Sequence, residues 1–285
     1  MLLNKIRVTL SLLLICSSAL QAENIELRTD KNLVITADFM AGENNANPVL
    51  ILHGFLQTKE FPTVARLAAS LHDSGHTVLA PTLSLDIGRR GKSLACEAIH
   101  THDIDKDATE IRQWVSWLKQ QTGKPVVLIG HSAGSLVLLN YLKQYGNEDI
   151  AHAVLISMKY FSEGPLAYET PKHAELAKNH LDRGIDPLNT YALSFCKTYP
   201  TTASAFLSYY DWDRQQVAIV AKKYASLITS VIGTNDKRIS PDWREELSKN
   251  GIGVLTVEGA NHFFDQAHEF DLLDIVEQVL SDISH

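Results

Sequence analysis

The residues best placed to do chemistry form the segment Gly130-His131-Ser132-Ala133-Gly134. It fits the pattern G-x-S-x-G, which puts a serine at a sharp turn between a strand and a helix. Such a turn strains the backbone and raises the hydroxyl above the sheet. Its glycines let helix and strand approach closely, and the positive end of the helix dipole favours negative charge beside the hydroxyl. A serine held this way can attack a carbonyl carbon once a base removes its proton, giving a covalent acyl intermediate. Glycine and serine are common, so the pentapeptide by itself could be an ordinary turn. The elements around it decide its meaning.

Residues 125–129 form an apolar run of the kind a strand buried on both faces shows, and 135–145 read as a helix. The serine therefore falls between a strand and a helix. The same alternation runs along most of the chain. Residues 49–52 are a continuous apolar strand, and 61–73 carry Val64, Leu67, Ala68 and Leu71 at helical spacing. A strand at 77–80 ends at Pro81. A helix at 103–121 has Ile104, Ala108, Ile111, Val115 and Leu118 on one face, with Asp103, Asp105 and Asp107 at its positive end. Strands at 151–157, 226–232 and 252–257 and helices at 241–250 and 264–283 follow. Residues 25–28 and 33–39 read as an antiparallel pair around a turn at Asp30-Lys31-Asn32. The pattern predicts an α/β fold: a mostly parallel sheet of about eight strands with helices on both faces.

One stretch, 159–225, breaks the alternation and is too long for a plain connection. It reads as an inserted helical cap after the sixth strand, with the core at 23–158 and 226–285. It holds Tyr160, Phe161, Tyr209, Tyr210 and Trp212 among its many aromatics. These either build the insertion's own small core, or line a pocket, or do both.

The 285 residues, 45% hydrophobic and 21% charged, suit a globular chain with a sizeable core. The start differs. Lys5 and Arg7 precede an apolar run from Val8 to Cys16, and small residues lead to Ala22. This is the layout of a signal peptide at 1–22, cleaved near Ala22, so the protein is expected to be exported to the periplasm or secreted. The competing reading, a membrane anchor, meets a run shorter than the roughly 20 apolar residues a bilayer needs. A lipid-modified Cys16 would want a small residue where Ile15 stands. No other stretch could span a membrane. The net charge is −7 and becomes −9 without Lys5 and Arg7, so neither nucleic acid nor anionic lipid is an expected partner. Two cysteines remain after cleavage, Cys96 and Cys196. In an oxidising compartment they are expected to form a disulfide, with two separate buried thiols as the alternative.

With its strand-serine-helix unit and alternating elements, nearly the whole mature chain resembles the α/β-hydrolase fold family. Three further segments fall where that family puts its working parts. His53-Gly54-Phe55-Leu56 follows the strand at 49–52. The resemblance implies that the Phe55 amide, together with the Ala133 amide, forms an oxyanion hole, although Gly54 would suit a simple turn as well. Gly233-Thr234-Asn235-Asp236 ends the strand at 226–232 and makes Asp236 the implied acid, with Glu163 as the fallback. Asp211 and Asp213 lie inside the insertion and fit less well. Glu258-Gly259-Ala260-Asn261-His262 follows the last strand and makes His262 the implied base toward Ser132. The chain order Ser–Asp–His is the family's order.

Two other groups compete for a role. Residues 86–93, from Asp86 through Gly88 and Gly91 to Ser93, loosely resemble a phosphate-binding loop but lack its spacing; a pocket-edge loop is the expectation. Cys96, His100, His102 and Asp103 match no metal-ligand spacing, and a disulfide would remove the thiolate, so no metal is expected. Acyl transfer through a serine needs no cofactor either. The resemblance thus implies a serine hydrolase for a small ester with an apolar group: an esterase, lipase-like enzyme or thioesterase. An acyltransferase or peptidase would use the same three residues. A non-catalytic binding protein on this scaffold would have no need to keep Ser132, Asp236 and His262 together.

Overall fold

The computed structural model describes residues 22–283; the expected signal peptide lies outside the described residues apart from Ala22. Strands β1 (Glu23–Arg28) and β2 (Val34–Met40) form the expected antiparallel pair. β3 (Val49–Leu52) lies parallel to β4 (Val78–Thr82), and β2 joins β4 antiparallel. β5 (Val126–His131) and β6 (Ile150–Ile156) extend the parallel part beyond β3. A separate antiparallel pair, β7 (Leu188–Leu193) and β8 (Cys196–Thr202), belongs to the insertion. β9 (Ile228–Gly233) and β10 (Gly253–Val257) complete an eight-stranded sheet in the order β1-β2-β4-β3-β5-β6-β9-β10.

The period of two along each central strand divides the core into two layers. Leu50, Leu52, Val126, Leu128, Ala153 and Leu155 point into one apolar cluster. Their neighbours Val49, Ile51, Val127, Ile129, Val154 and Ile156 point into the other. Helix α1 (Pro62–Asp73) covers the second layer, through the Val64, Leu67, Ala68 and Leu71 stripe. α2 (Ile104–Thr122) and α3 (Ala133–Tyr145) cover the first. α2 is capped by the Asp103 side chain, which accepts from the Lys106 amide at 2.8 Å, and it ends at Gly123 with φ 70°.

The insertion differs from a helical cap. It contains α4 (Thr170–Asp182), the β7–β8 hairpin and α5 (Ala203–Tyr210). The hairpin follows from β-prone side chains such as Tyr191, Tyr199, Thr201 and Thr202 around the turn at Ser194 and Phe195. The next helix, α6 (Arg214–Lys223), packs on α3 and so joins the helix layer of the sheet. α7 (Pro241–Lys249) packs beside α6, and α8 (His268–Asp282) lies against α1. α8 begins four residues later than its apolar pattern predicts, because Phe264 (φ 52°) and Gln266 (φ 61°) hold the chain in a non-helical turn. β9 also starts late, after a 3₁₀ turn at Ala225–Leu227.

Cys96 and Cys196 form the expected disulfide, with α-carbons 5.3 Å apart. It fastens the hairpin to the core loop that precedes α2. The same junction is pinned by two hydrogen bonds: the His100 amide donates to the Pro200 carbonyl at 2.8 Å, and the Thr201 hydroxyl donates to the His100 carbonyl at 2.7 Å.

Candidate active site

Ser132 sits between the last residue of β5 and the first of α3, with φ 54° and ψ −123°. A non-glycine residue there is strained, and the packing shows why the turn is so sharp. A side chain on Gly130 would come within 2.8 Å of Ser135, and one on Gly134 within 2.4 Å of the His53 carbonyl. Only hydrogen at these positions lets the start of α3 press on β5 and on the loop after β3.

The loops after β9 and β10 are pressed together in the same way. A side chain on Gly233 would meet the Ala260 carbonyl at 2.2 Å. The Asn235 amide donates to that carbonyl at 2.9 Å, and the Thr234 amide donates to the Val257 carbonyl at 2.9 Å. Asp236 and His262 are thereby brought side by side. The His262 Nδ1–H donates to Asp236 Oδ2 at 2.7 Å, and its Nε2 faces Ser132 Oγ at 2.9 Å. Both His262 and Asp236 are buried. Burial holds the His262 imidazole below its ordinary value, against the opposing pull of Asp236. Burial also disfavours charge on Asp236. The His262 hydrogen bond and charge, aided by the Arg238 amide at 2.9 Å, outweigh that and keep the carboxyl below its usual range. Glu163, the fallback acid, instead accepts from the Ser240 amide at 3.0 Å. Asp213 caps α6 through the Gln216 amide, and Asp211 ends α5.

Five residues that the motifs did not single out brace this chain. His131, the variable residue before the serine, donates from Nε2 to the His262 carbonyl at 2.9 Å, and Ser157 Oγ donates to the same carbonyl at 3.1 Å. Burial pushes the His131 imidazole down to about 4, so at neutral pH it is an uncharged donor. Phe61 stacks on its ring at 5.9 Å. His53 steadies the other side. The Leu83 amide donates to its Nε2 at 3.0 Å, and its Nδ1–H donates to the Gly54 carbonyl at 2.9 Å. Burial, with the Arg90 charge nearby, takes its pKa down to about 3. Gln57 accepts from the Gly54 amide at 3.1 Å. The loop carrying the Phe55 amide is therefore held on both sides. The Phe55 and Ala133 amides donate to no atom among the described residues; Ala133 follows Ser132 in the chain, and Phe55 shares its cleft.

The loop at 86–93 is a scaffold and not the edge of the pocket. Arg90 is buried and donates to the carbonyls of Leu83 (2.6 Å), Gln57 (2.6 Å) and Lys92 (2.8 Å), so its guanidinium is turned inward to hold the Phe55 loop. Asp86 and Arg89 pair outward with Lys106 and Glu26. Near Cys96, whose sulfur is in the disulfide, His100 stacks on Tyr199 and His102 bonds Tyr209.

A cleft of about 110 Å³ opens at Ser132, with Phe55, Lys159, Phe195, Arg238 and His262 on its walls. A larger hollow of about 190 Å³ lies between α1 and α8, but Ser132 is not on its wall. Most of the insertion's aromatics fall into two sets. Phe161, Phe195, Tyr199 and Tyr209 surround the Phe55 ring with centroids 5.5–5.9 Å away. Tyr191, Phe206 and Tyr210 stack on one another and build the insertion's own core.

Residues 49–271 match the model of the alpha/beta hydrolase family, and the chain belongs to that family. No curated protein matches the chain by sequence. Among solved structures it is similar to Est1E from Butyrivibrio proteoclasticus, at 16% identity and a TM-score of 0.65, over 91% of this chain and 98% of that one. It is also similar to a thermophilic esterase from Thermogutta terrifontis, at 15% identity and a TM-score of 0.61, over 93% and 100%. A third likeness is to the thioesterase domain from the curacin biosynthetic pathway, at 17% identity and a TM-score of 0.59, over 92% and 99%. At these identities the likeness is one of fold.

Proposed function

We propose that the protein hydrolyses a carboxylic ester or thioester through an acyl-enzyme on Ser132. The observation that carries this reading is the unbroken hydrogen-bonded chain Ser132–His262–Asp236, at 2.9 and 2.7 Å. Ser132 Oγ attacks the carbonyl carbon while its proton passes to His262 Nε2. Asp236 stays ionised and holds the ring in the tautomer that leaves Nε2 open to accept. The carbonyl oxygen takes the negative charge toward the Phe55 and Ala133 amides, each such donor contributing about 3 kcal/mol to the transition state. Collapse expels the alcohol or thiol, protonated by His262, and leaves acyl-Ser132. Water then attacks, gives its proton to His262, and Ser132 departs with that proton. The rings around Phe55 favour an apolar acyl group. Residues 159–225, through the hairpin and α5, act as the cover. We further propose export, which the Cys96–Cys196 disulfide supports.

A fluorophosphonate probe is expected to label the protein, and Ser132→Ala to lose labelling and to lower ester turnover by about a millionfold. Equal labelling of the variant would remove Ser132 from its role.

A further inference from the structure

We propose that the leaving-group half of the substrate carries an anion, held by Arg238 and Lys159. This deepens the ester-hydrolase reading of Ser132 and rests on it. The cleft at Ser132 shares Pro165 and Arg238 with a wider, open basin of about 730 Å³. Lys159 and Arg238 stand on the wall of the cleft, and Lys237, Arg238 and Arg244 on that of the basin. None of these four cations is ion-paired among the described residues. Arg214, by contrast, grips Asp242 and Glu246, each at 2.6 Å.

The two carboxylates on that side, Asp236 and Glu163, offset the four cations only in part. Asp236 is engaged by His262 and the Arg238 amide, and Glu163 accepts from the Ser240 amide while burial pushes its carboxyl up. The Arg238 guanidinium rests over the Phe263 ring, 4.7 Å from its centroid, and Phe263 also lines the cleft. Stacking fixes the plane of a group suited to a carboxylate or phosphate. Lys159 Nζ uses one bond on the Glu163 carbonyl at 2.9 Å, and an ammonium has three donors. A chain of net charge −7 repels anions as a whole, so a cationic mouth reverses the field where substrate must enter.

The side of the scissile bond follows from His262. The Arg238 amide donates to Asp236, its guanidinium lies over Phe263, whose ring packs against His262, and Lys159 shares the cleft with them, so both cations lie on the side of the imidazole that hands its proton to the leaving oxygen. Phe55, on the wall of the same cleft, stands instead in a cage of rings. An anion therefore belongs on the alcohol or thiol, and the apolar group on the acyl part.

The test compares 3-acetoxybenzoate with the neutral 3-acetoxybenzamide. The wild type is expected to favour the anionic ester by roughly tenfold in kcat/KM, as a charge-assisted hydrogen bond would give. That ratio should shrink in high salt. It should fall severalfold in Arg238→Gln and largely persist in Arg238→Lys. A readout that needs no turnover is fluorophosphonate labelling, which 3-hydroxybenzoate should slow and 3-hydroxybenzamide should not. A wild-type ratio of one or less, or a ratio unchanged in Arg238→Gln, overturns the proposal while leaving the hydrolase reading intact. Labelled protein that hydrolyses neither ester and is shielded equally by both phenols overturns it as well. Absence of both labelling and hydrolysis removes the hydrolase reading, and this inference with it.

Discussion

At the scale of single residues, the site depends on two histidines that burial keeps uncharged at rest. His131 is buried and braces a carbonyl, whereas His262 is buried but held against Asp236. Catalysis in the proposed mechanism needs His262 uncharged, so kcat/KM should rise with pH through an acid limb lying below the usual imidazole value of about 6.5. Asp236→Asn removes the partner that raises the His262 pKa and that selects its tautomer. The limb should move to still lower pH, and kcat should fall by about 10⁴. A pH-rate profile of the two proteins checks both, and a limb that moves upward would contradict the assigned role of Asp236.

At the scale of elements, three turns make the site. The Ser132 elbow needs Gly130 and Gly134 where backbones nearly touch, and the meeting of the loops after β9 and β10 needs Gly233. The hairpin β7–β8 adds Phe195 to the cleft, and the disulfide closes a sequence separation of 100 residues to anchor it. Replacing both cysteines with alanine should lower stability by about 2–5 kcal/mol. For a domain of this size that is a Tm loss of roughly 10 °C, read by thermal unfolding of the double variant beside the unreduced wild type. A shift within error would mean that the hydrogen bonds from His100 and Thr201 hold the hairpin unaided.

For the whole molecule, the buried titratable groups set the response to acid. His53, His100 and His131 have folded pKa values of about 3, 4 and 4, below 6.5, so each takes up a proton on unfolding in mildly acid solution. Glu110, buried against Ser84 and raised to about 7, works the other way and releases one. Three against one gives a net uptake of about two protons between pH 4.5 and 6.5. Stability should therefore be greatest above pH 6.5 and fall as pH drops, on the order of 2 kcal/mol per unit, in a urea series across that window. A flat profile would show that the three histidines do not keep these low values in the folded protein.

Much of this was readable along the chain because the signals are local. The sheet strands announce themselves as apolar runs, the core helices as stripes at 3.6-residue spacing, and the elbow as glycines flanking Ser132. The Ser–Asp–His order and the place of each residue after its strand were legible too, although Asp236 and Glu163 could be separated only by which one faces His262. The hairpin was hidden because its partner strands stabilise each other through tertiary packing of Tyr191, Tyr199 and their neighbours more than through any pattern of their own. Arg90 looked like part of a pocket loop; only its burial against three carbonyls shows it holding the Phe55 loop in place. The roles of His53, His131 and Ser157 depend on contacts spanning up to 131 positions, and the cations around His262 come from loops after different strands. Sequence by itself determined which residues the elbow and the strand ends offer for chemistry, since local periodicity and turn geometry are written in short segments. Tertiary structure alone decided what surrounds Ser132, because burial and charge at one point are sums over parts of the chain that meet only when it folds.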